Sequence, residues 1–159
     1  MPRATTRSPS GASAPAAPAE SVLGENLAFL LIRAGAQAAA QDTRALAKHG
    51  LKVRQYAVLS TACTEPRTQK ELSDFLMLNP SQVVALVDAL EERGLVERVA
   101  APADRRSKVV VGTARGRRLF DKAHLKVART HESLLAGLDP VERERFLAVI
   151  RSLAFPAPQ

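Results

Sequence analysis

TQKELSDFLMLNPSQVVALVDALEERGLVERVAAPADRRSKVVV, residues 68–111, carries the signals that decide the fold. Thr68-Gln69-Lys70-Glu71 has the capping-box spacing: the threonine hydroxyl accepts from the Glu71 amide while the Glu71 carboxylate reaches back to the Thr68 amide. That spacing predicts a helix over about 69–76. Asn79, Pro80 and Gln82 then restart the chain as N-cap, first-turn proline and third-position acceptor, predicting a second helix to about Arg93 that Gly94 closes. Residues 95–100 and 108–111 are β-branched runs on either side of Ala-Pro-Ala-Asp-Arg-Arg, which reads as a hairpin with a basic tip. Helix, tight turn, helix and basic hairpin together describe a winged helix-turn-helix.

Working outward, Ser21 is placed to cap a long first helix to about Lys48, with Val22, Leu23, Leu27, Leu30, Leu31 and Ala34 as its apolar stripe and Gly50 as its stop. A short second helix spans about 53–63, with Tyr56, Leu59 and Cys63 about one turn apart and Pro66 beyond its end. Thr113 caps another long helix to about Leu135, and Asp139 with Pro140 starts the last one. The expected fold is mostly α with a small β-hairpin wing, in the order α-α-α-α-β-β-α-α. Residues 1–20, rich in Pro, Ala and Ser without apolar periodicity, read as a disordered tail; 21–50 as a dimerisation helix, 51–112 as the winged lobe, and 113–154 as C-terminal dimerisation helices. The first and last helices carry more apolar stripe than one small lobe can cover, so a homodimer is expected.

Of the 159 residues 25% are charged and 4% aromatic, and the net charge is +7. Residues 93–118 alone hold eight basic side chains (Arg93, Arg98, Arg105, Arg106, Lys108, Arg115, Arg117, Arg118) against Glu97 and Asp104. A basic excess gathered in one segment is the footprint of a polyanion, with double-stranded DNA the leading partner and a membrane surface a weak second. No run approaches the roughly 20 apolar residues of a membrane span, and the single cysteine, Cys63, forms neither an intramolecular disulfide nor a CxxC site, so a cytoplasmic location fits. No GxSxG, HExxH or glycine-rich phosphate loop is present, and neither enzyme activity nor a cofactor is expected.

The stretch LVDALEERGLVERVAAPADRRSKVVVGTARGRRLF, residues 86–120, resembles the MarR family of bacterial regulators in its Leu-Glu-x-x-Gly-Leu-Val turn, its Asp-x-Arg wing motif and its Thr-x-x-Gly helix start. GLKVRQYAVL and TQKELSDFL are similar to the family's second and third helices, and the resemblance covers about 22–153. It implies an obligate dimer that binds a pseudo-palindromic operator, often as a repressor that a small molecule or oxidant releases. Arg106 matches the family's wing arginine. Val84 and Ala85 stand where the family often has a polar residue and an arginine, and Gly112 replaces the usual leucine before the threonine cap.

On a helical wheel Val83, Leu86, Val87 and Leu90 share the core face of the recognition helix, leaving Ser81, Ala85 and Asp88 opposite. Asn79, Pro80, Ser81 and Gln82 lie at its start, where Ser81 and Gln82 can donate to phosphate or base edges; Val84 and Ala85 suit thymine methyls. Thr68 and Gln69 are expected phosphate contacts, as is Lys108. Asp104 is placed to orient the hairpin or Arg106, while Arg105 and Arg106 reach from the tip toward a minor groove. The bland alternatives are a solvated helix face and a solvated charged turn. Phe29, Tyr56 and His124 come from three helices and could line a pocket for a small-molecule effector, a core role being as good a reading for each. Cys63 reads as a small buried hydrophobe. His124 and His131 share a face, yet without a third ligand no metal is expected. His49 reads as a partner of helix-end carbonyls. Two rivals remain at this stage, a winged-helix protein-interaction module and a non-specific architectural DNA binder.

Overall fold

The computed structural model describes residues 22–101 and 106–157. The expected tail over residues 1–20, Ser21, and the wing residues Asp104 and Arg105 lie outside them. The elements in chain order are a short 3-10 turn at Val22–Gly24, α1 (Leu27–Ala47), α2 (Val53–Thr64), β1 (Arg67–Thr68), α3 (Gln69–Leu76), α4 (Pro80–Glu92), β2 (Val96–Ala100), β3 (Lys108–Gly112), α5 (Ala114–Leu134) and α6 (Pro140–Ala154). The chain divides into two compact units, residues 1–36 and 37–159, with α1 running through the boundary.

Two expectations are corrected. The first helix begins at Leu27 and not just after Ser21: Asn26 Oδ1 accepts from the Phe29 amide at 2.9 Å, and Val22–Gly24 form a separate turn. Asparagine is among the strongest N-caps, and an apolar stripe alone does not register the break before it. The second is an unanticipated third strand. Arg67 and Thr68 pair antiparallel with Val110 and Val109, so the sheet order is β1-β3-β2 and the wing is tied to the start of α3. Two residues are too few to show a periodicity, and only their pairing reveals them.

The core of the 37–159 unit lies where α2, α3 and α4 meet the sheet and the middle of α5. Val83, Val87 and Leu90 recur at helical spacing on α4 and are fully buried with Val58 and Leu59 of α2 and Leu72 of α3. Each such side chain contributes about 1.5–3 kcal/mol relative to exposure. Gly94 then adopts φ +65°, its amide donates to the Glu91 carbonyl (2.8 Å), and the Leu95 amide donates to that of Leu90 (2.9 Å). This closed end of α4 turns the chain straight into β2.

The wing is joined to α5 by a tight polar junction. The Thr113 hydroxyl donates to the Gly94 carbonyl (2.8 Å) and accepts from the Gly116 amide (3.0 Å), while the Thr113 amide donates to the Leu95 carbonyl (3.1 Å). A β-carbon on Gly116 would lie 1.9 Å from that Leu95 carbonyl oxygen. The Thr-x-x-Gly pattern is therefore a cap plus a close backbone crossing. Gly112 has its own counterpart: a β-carbon there would stand 2.4 Å from Cys63 Sγ, so the cysteine side chain fills the space a larger residue at 112 would need.

Gly116→Ala is accordingly expected to destabilise the fold by about 3 kcal/mol, the upper end for overpacking, and Thr113→Ala by about 1 kcal/mol for the lost cap. Urea unfolding followed by circular dichroism measures both, and a Gly116→Ala midpoint equal to the parent's would refute the crossing as a constraint. A pH effect attaches to α3. The Thr68 amide (2.7 Å) and hydroxyl (2.8 Å) both donate to Glu71, which holds its carboxyl below the ordinary value of 4.5. The stabilisation is thus present above pH 4.5 and lost as pH falls through the lowered value. Glu71→Gln is expected to flatten the acid limb of the stability–pH curve, and an unchanged limb would show that the box contributes nothing.

Candidate nucleic-acid interface

The helix-turn-helix is set by its two caps and the turn between them. Thr68 caps α3 as the sequence predicts, its hydroxyl accepting from the Glu71 amide at 3.2 Å. At the other end Met77 takes a left-handed conformation (φ 51°) and the Leu78 amide donates to the Ser73 carbonyl at 3.0 Å. The buried Ser73 hydroxyl donates to the Leu78 carbonyl at 2.5 Å, satisfying a backbone group that the tight turn removes from water. Asn79 then starts α4, its amide donating to Gln82 Oε1 at 3.2 Å. With that oxygen engaged in the cap, the amide nitrogen is the group by which exposed Gln82 can donate to a partner.

With Val83, Val87 and Leu90 turned inward, α4 leaves Pro80, Ser81, Gln82, Val84 and Ala85 exposed along its first two turns. Asn79 is also exposed, whereas Thr68 and Gln69 are half-buried at the start of α3. Asp88 is exposed on the same helix, and an acid on a face offered to a polyanion needs a partner. Arg98 of β2 supplies it. Its guanidinium bonds Asp88 and Glu91 of α4, its Nε donates to Gln69 Oε1 at 3.0 Å, and its own amide donates to Glu91 Oε1 at 3.3 Å. One mostly covered arginine thus joins α3, α4 and the wing. Gln69, expected as a phosphate contact, spends its carbonyl oxygen here, and Arg98 was not recognised from sequence as anything beyond surface charge.

Other cations of the basic segment are also partly committed. Arg93 Nη1 donates to the Gly50 carbonyl (2.9 Å) and Arg117 Nη1 to the Cys63 carbonyl (2.7 Å). Arg106 and Lys108 are exposed at the near end of the wing, where the Ala101 amide donates to the Ser107 carbonyl at 2.8 Å and closes the hairpin. The lobe therefore combines a small-residue helix face, exposed Ser81 and Gln82 at its start and exposed Arg106 and Lys108 on the hairpin, groups able to meet base edges and phosphates.

The expected pocket residues are partly brought together. Tyr56 Oη lies 3.0 Å from His124 Nδ1, and the Phe120 ring packs against both, 6.1 Å from the Tyr56 ring and 5.3 Å from the His124 ring. Burial, then the Asp42 carboxylate, push the Tyr56 phenol up from its ordinary value, which favours the neutral phenol. Phe29 belongs to the 1–36 unit, and its amide is used in the Asn26 cap. Phe120 was missed as a site residue, although its i, i+4 spacing to His124 was legible. His131 does not join His124: its Nε2 lies 3.1 Å from Asp42 Oδ1, and no group of three or more metal-ligating side chains occurs among the described residues. His49 shows its backbone amide donating to the Leu46 carbonyl at 2.9 Å. Cys63 is half-buried and its thiol is pushed up by burial, which disfavours the reactive thiolate.

This architecture is that of solved bacterial regulators. A transcriptional regulator of the MarR family from Rhodococcus sp. RHA1 is 38% identical, covers 86% of this chain and 98% of its own, and superposes with a TM-score of 0.79. The chain belongs to the MarR family. A MarR-family sequence profile matches residues 49–107, from the end of α1 into the wing. CouR from Rhodococcus jostii RHA1, bound to p-coumaroyl-CoA, is 38% identical with a TM-score of 0.80, covering 87% of this chain and 99% of that one. The transcriptional repressor CouR bound to a 23-mer DNA duplex is 32% identical over 83% of this chain and 94% of its own, with a TM-score of 0.74. This MarR-family chain is a winged-helix, DNA-binding transcriptional regulator and not an enzyme. Among its described residues no helix is long and apolar enough to cross a membrane.

The Arg98 network gives this MarR lobe a specific dependence. Arg98→Gln is expected to lower duplex affinity at least tenfold, since it leaves Asp88 and Glu91 uncompensated beside the phosphates. Asp88→Asn should recover part of that loss in the Arg98→Gln background while changing the parent little. Fluorescence-anisotropy titrations of the four proteins read the coupling, and additive effects would show that Arg98 acts only as one more surface cation.

Proposed function

We propose that this MarR-family regulator is a homodimeric repressor of a pseudo-palindromic operator, released by a small-molecule effector. The observation that carries the DNA reading is the α4 face itself: Ser81, Gln82, Val84 and Ala85 stand exposed opposite the buried Val83, Val87 and Leu90, in a lobe whose hairpin also exposes Arg106 and Lys108. In this reading residues 79–82 place α4 in a major groove, with Ser81 and the Gln82 nitrogen donating to bases or phosphates. Val84 and Ala85 contact thymine methyls, Thr68 and Lys108 hold phosphates, and Asp104, Arg105 and Arg106 serve the wing in a minor groove. The likeness to CouR on a DNA duplex supports it. The small-residue α4 surface is the feature that a protein-binding winged helix would share, and the surrounding cations favour DNA.

Dimerisation through residues 21–50 and 113–154 is supported by α6, which buries no residue within the chain and exposes Phe146, Val149 and Leu153, and by exposed Leu27, Leu30 and Leu31 on α1. CouR bound to p-coumaroyl-CoA supports effector control. The Tyr56, Phe120 and His124 cluster is the aromatic surface where an effector would act, altering the spacing of two lobes by binding one arrangement better. A cytoplasmic location follows from this role.

Selection of bound sites from a random DNA pool tests the reading: a two-fold-symmetric site with half-sites about one helical turn apart is the expected outcome, and no enriched sequence would leave only an architectural binder. On that site Arg106→Ala should weaken binding without changing base preference, flattening the log–log salt slope by about two per dimer if each arginine neutralises a phosphate. An affinity equal to the parent's would remove the wing from the interface.

A further inference from the structure

Away from α4 and the wing, the C-terminal half of α1 and the middle of α5 enclose a cleft of about 640 Å³, a size ordinary for small-molecule sites. Half-buried Gln41, Ala45, His49 and Thr130 line it, and Arg44, Lys48, Lys126 and Arg129 are its exposed cations. None of these four forms an ion pair or side-chain hydrogen bond among the described residues. Among the described residues no carboxylate lines the cleft. The nearest along α1, Asp42, is held from α5 by the Thr130 hydroxyl (3.2 Å) and His131 Nε2 (3.1 Å).

Arg44 and Lys48 are four apart on α1, and Lys126 and Arg129 three apart on α5, so each helix carries a like-charged neighbour pair. Both pairs line the same concavity. Spacing of this kind is unfavourable in the empty protein and becomes favourable when an anion of several charges lies between them. A single carboxylate would leave most of the charge unmet, whereas adjacent phosphoryl groups offer oxygens to two guanidinium forks and two ammonium groups at once. We propose that the cleft between α1 and α5, rimmed by Arg44, Lys48, Lys126 and Arg129, binds a small molecule bearing a diphosphate. The site is independent of the DNA-reading surface, and duplex DNA is the other polyanion the test must separate.

Calorimetric titration of the full-length protein with inorganic pyrophosphate is expected to show one saturable site per chain, and Arg44→Gln with Lys126→Gln to weaken it at least tenfold. Arg145→Gln with Arg151→Gln removes the same charge from exposed positions of α6, outside the cleft, and should change it less than twofold. Equal weakening by both pairs, or no saturable binding by the parent, overturns the proposal. Amide chemical-shift mapping of the unmutated protein guards against misfolded variants: pyrophosphate should perturb residues 41–49 and 126–133, and perturbation centred on α4 and Arg106 instead would refute the site. Affinity for a 20-base-pair duplex of the selected sequence is measured alongside. If Arg44→Gln with Lys126→Gln lowers it as much as Arg106→Ala does, the cleft belongs to DNA and the proposal fails; if it does not, the cleft is a separate site, whatever the fate of the operator reading.

Discussion

The Leu95 carbonyl is the point on which the DNA-binding lobe turns. Leu95 is 2% exposed, so its oxygen has no route to water and must be satisfied within the protein. The Thr113 amide does so at 3.1 Å, and the backbone of Gly116 passes against the same oxygen with no room for a side chain. Because Leu95 follows the last turn of α4 and Thr113 precedes α5, this one contact locks the end of the recognition helix to the start of the long helix behind it. The β2–β3 hairpin has both ends held there, so the wing projects from a fixed base.

Charge in this lobe is divided between building the surface and meeting a partner. Arg93, Arg98 and Arg117 each hold protein groups, two carbonyls and a pair of carboxylates, which leaves a smaller exposed set near the wing than the composition implied. The division has a physical logic. A cation already satisfied at two or three sites is a poor counter-ion for phosphate, but it can neutralise acids that would otherwise repel one. Arg98 does this for Asp88 and Glu91 while pinning Gln69, so charge balance and helix placement are supplied by the same guanidinium.

Behind the lobe, α5 offers two different surfaces. Its Phe120–His124 stretch meets Tyr56 in an aromatic cluster that favours the neutral phenol, whereas Lys126 and Arg129 turn a wholly cationic edge toward α1. Beyond them along α5, Thr130 and His131 engage Asp42 of α1.

Local chemistry in the chain determined the lobe: the Thr68–Glu71 box, the Asn79-Pro80 restart, the Gly94 stop and the Thr113 cap each act over a few residues, so the bounds of α3 and α4 and the hairpin were legible from spacing. The buried stripe Val83, Val87 and Leu90 was legible for the same reason, since helical periodicity alone decides which face is apolar. Tertiary structure decided what periodicity cannot encode. The two-residue β1 exists because β3 passes beside it; Arg98 became structural because Asp88, Glu91 and Gln69, up to 29 residues away, converge on it. Gly112 is tolerated because Cys63, 49 positions earlier, fills its space, and the α1–α5 cleft collects cations from two distant helices. Caps and stripes are properties of neighbours along the chain, whereas charge pairing and close approach are properties of neighbours in space, and only folding makes the second kind.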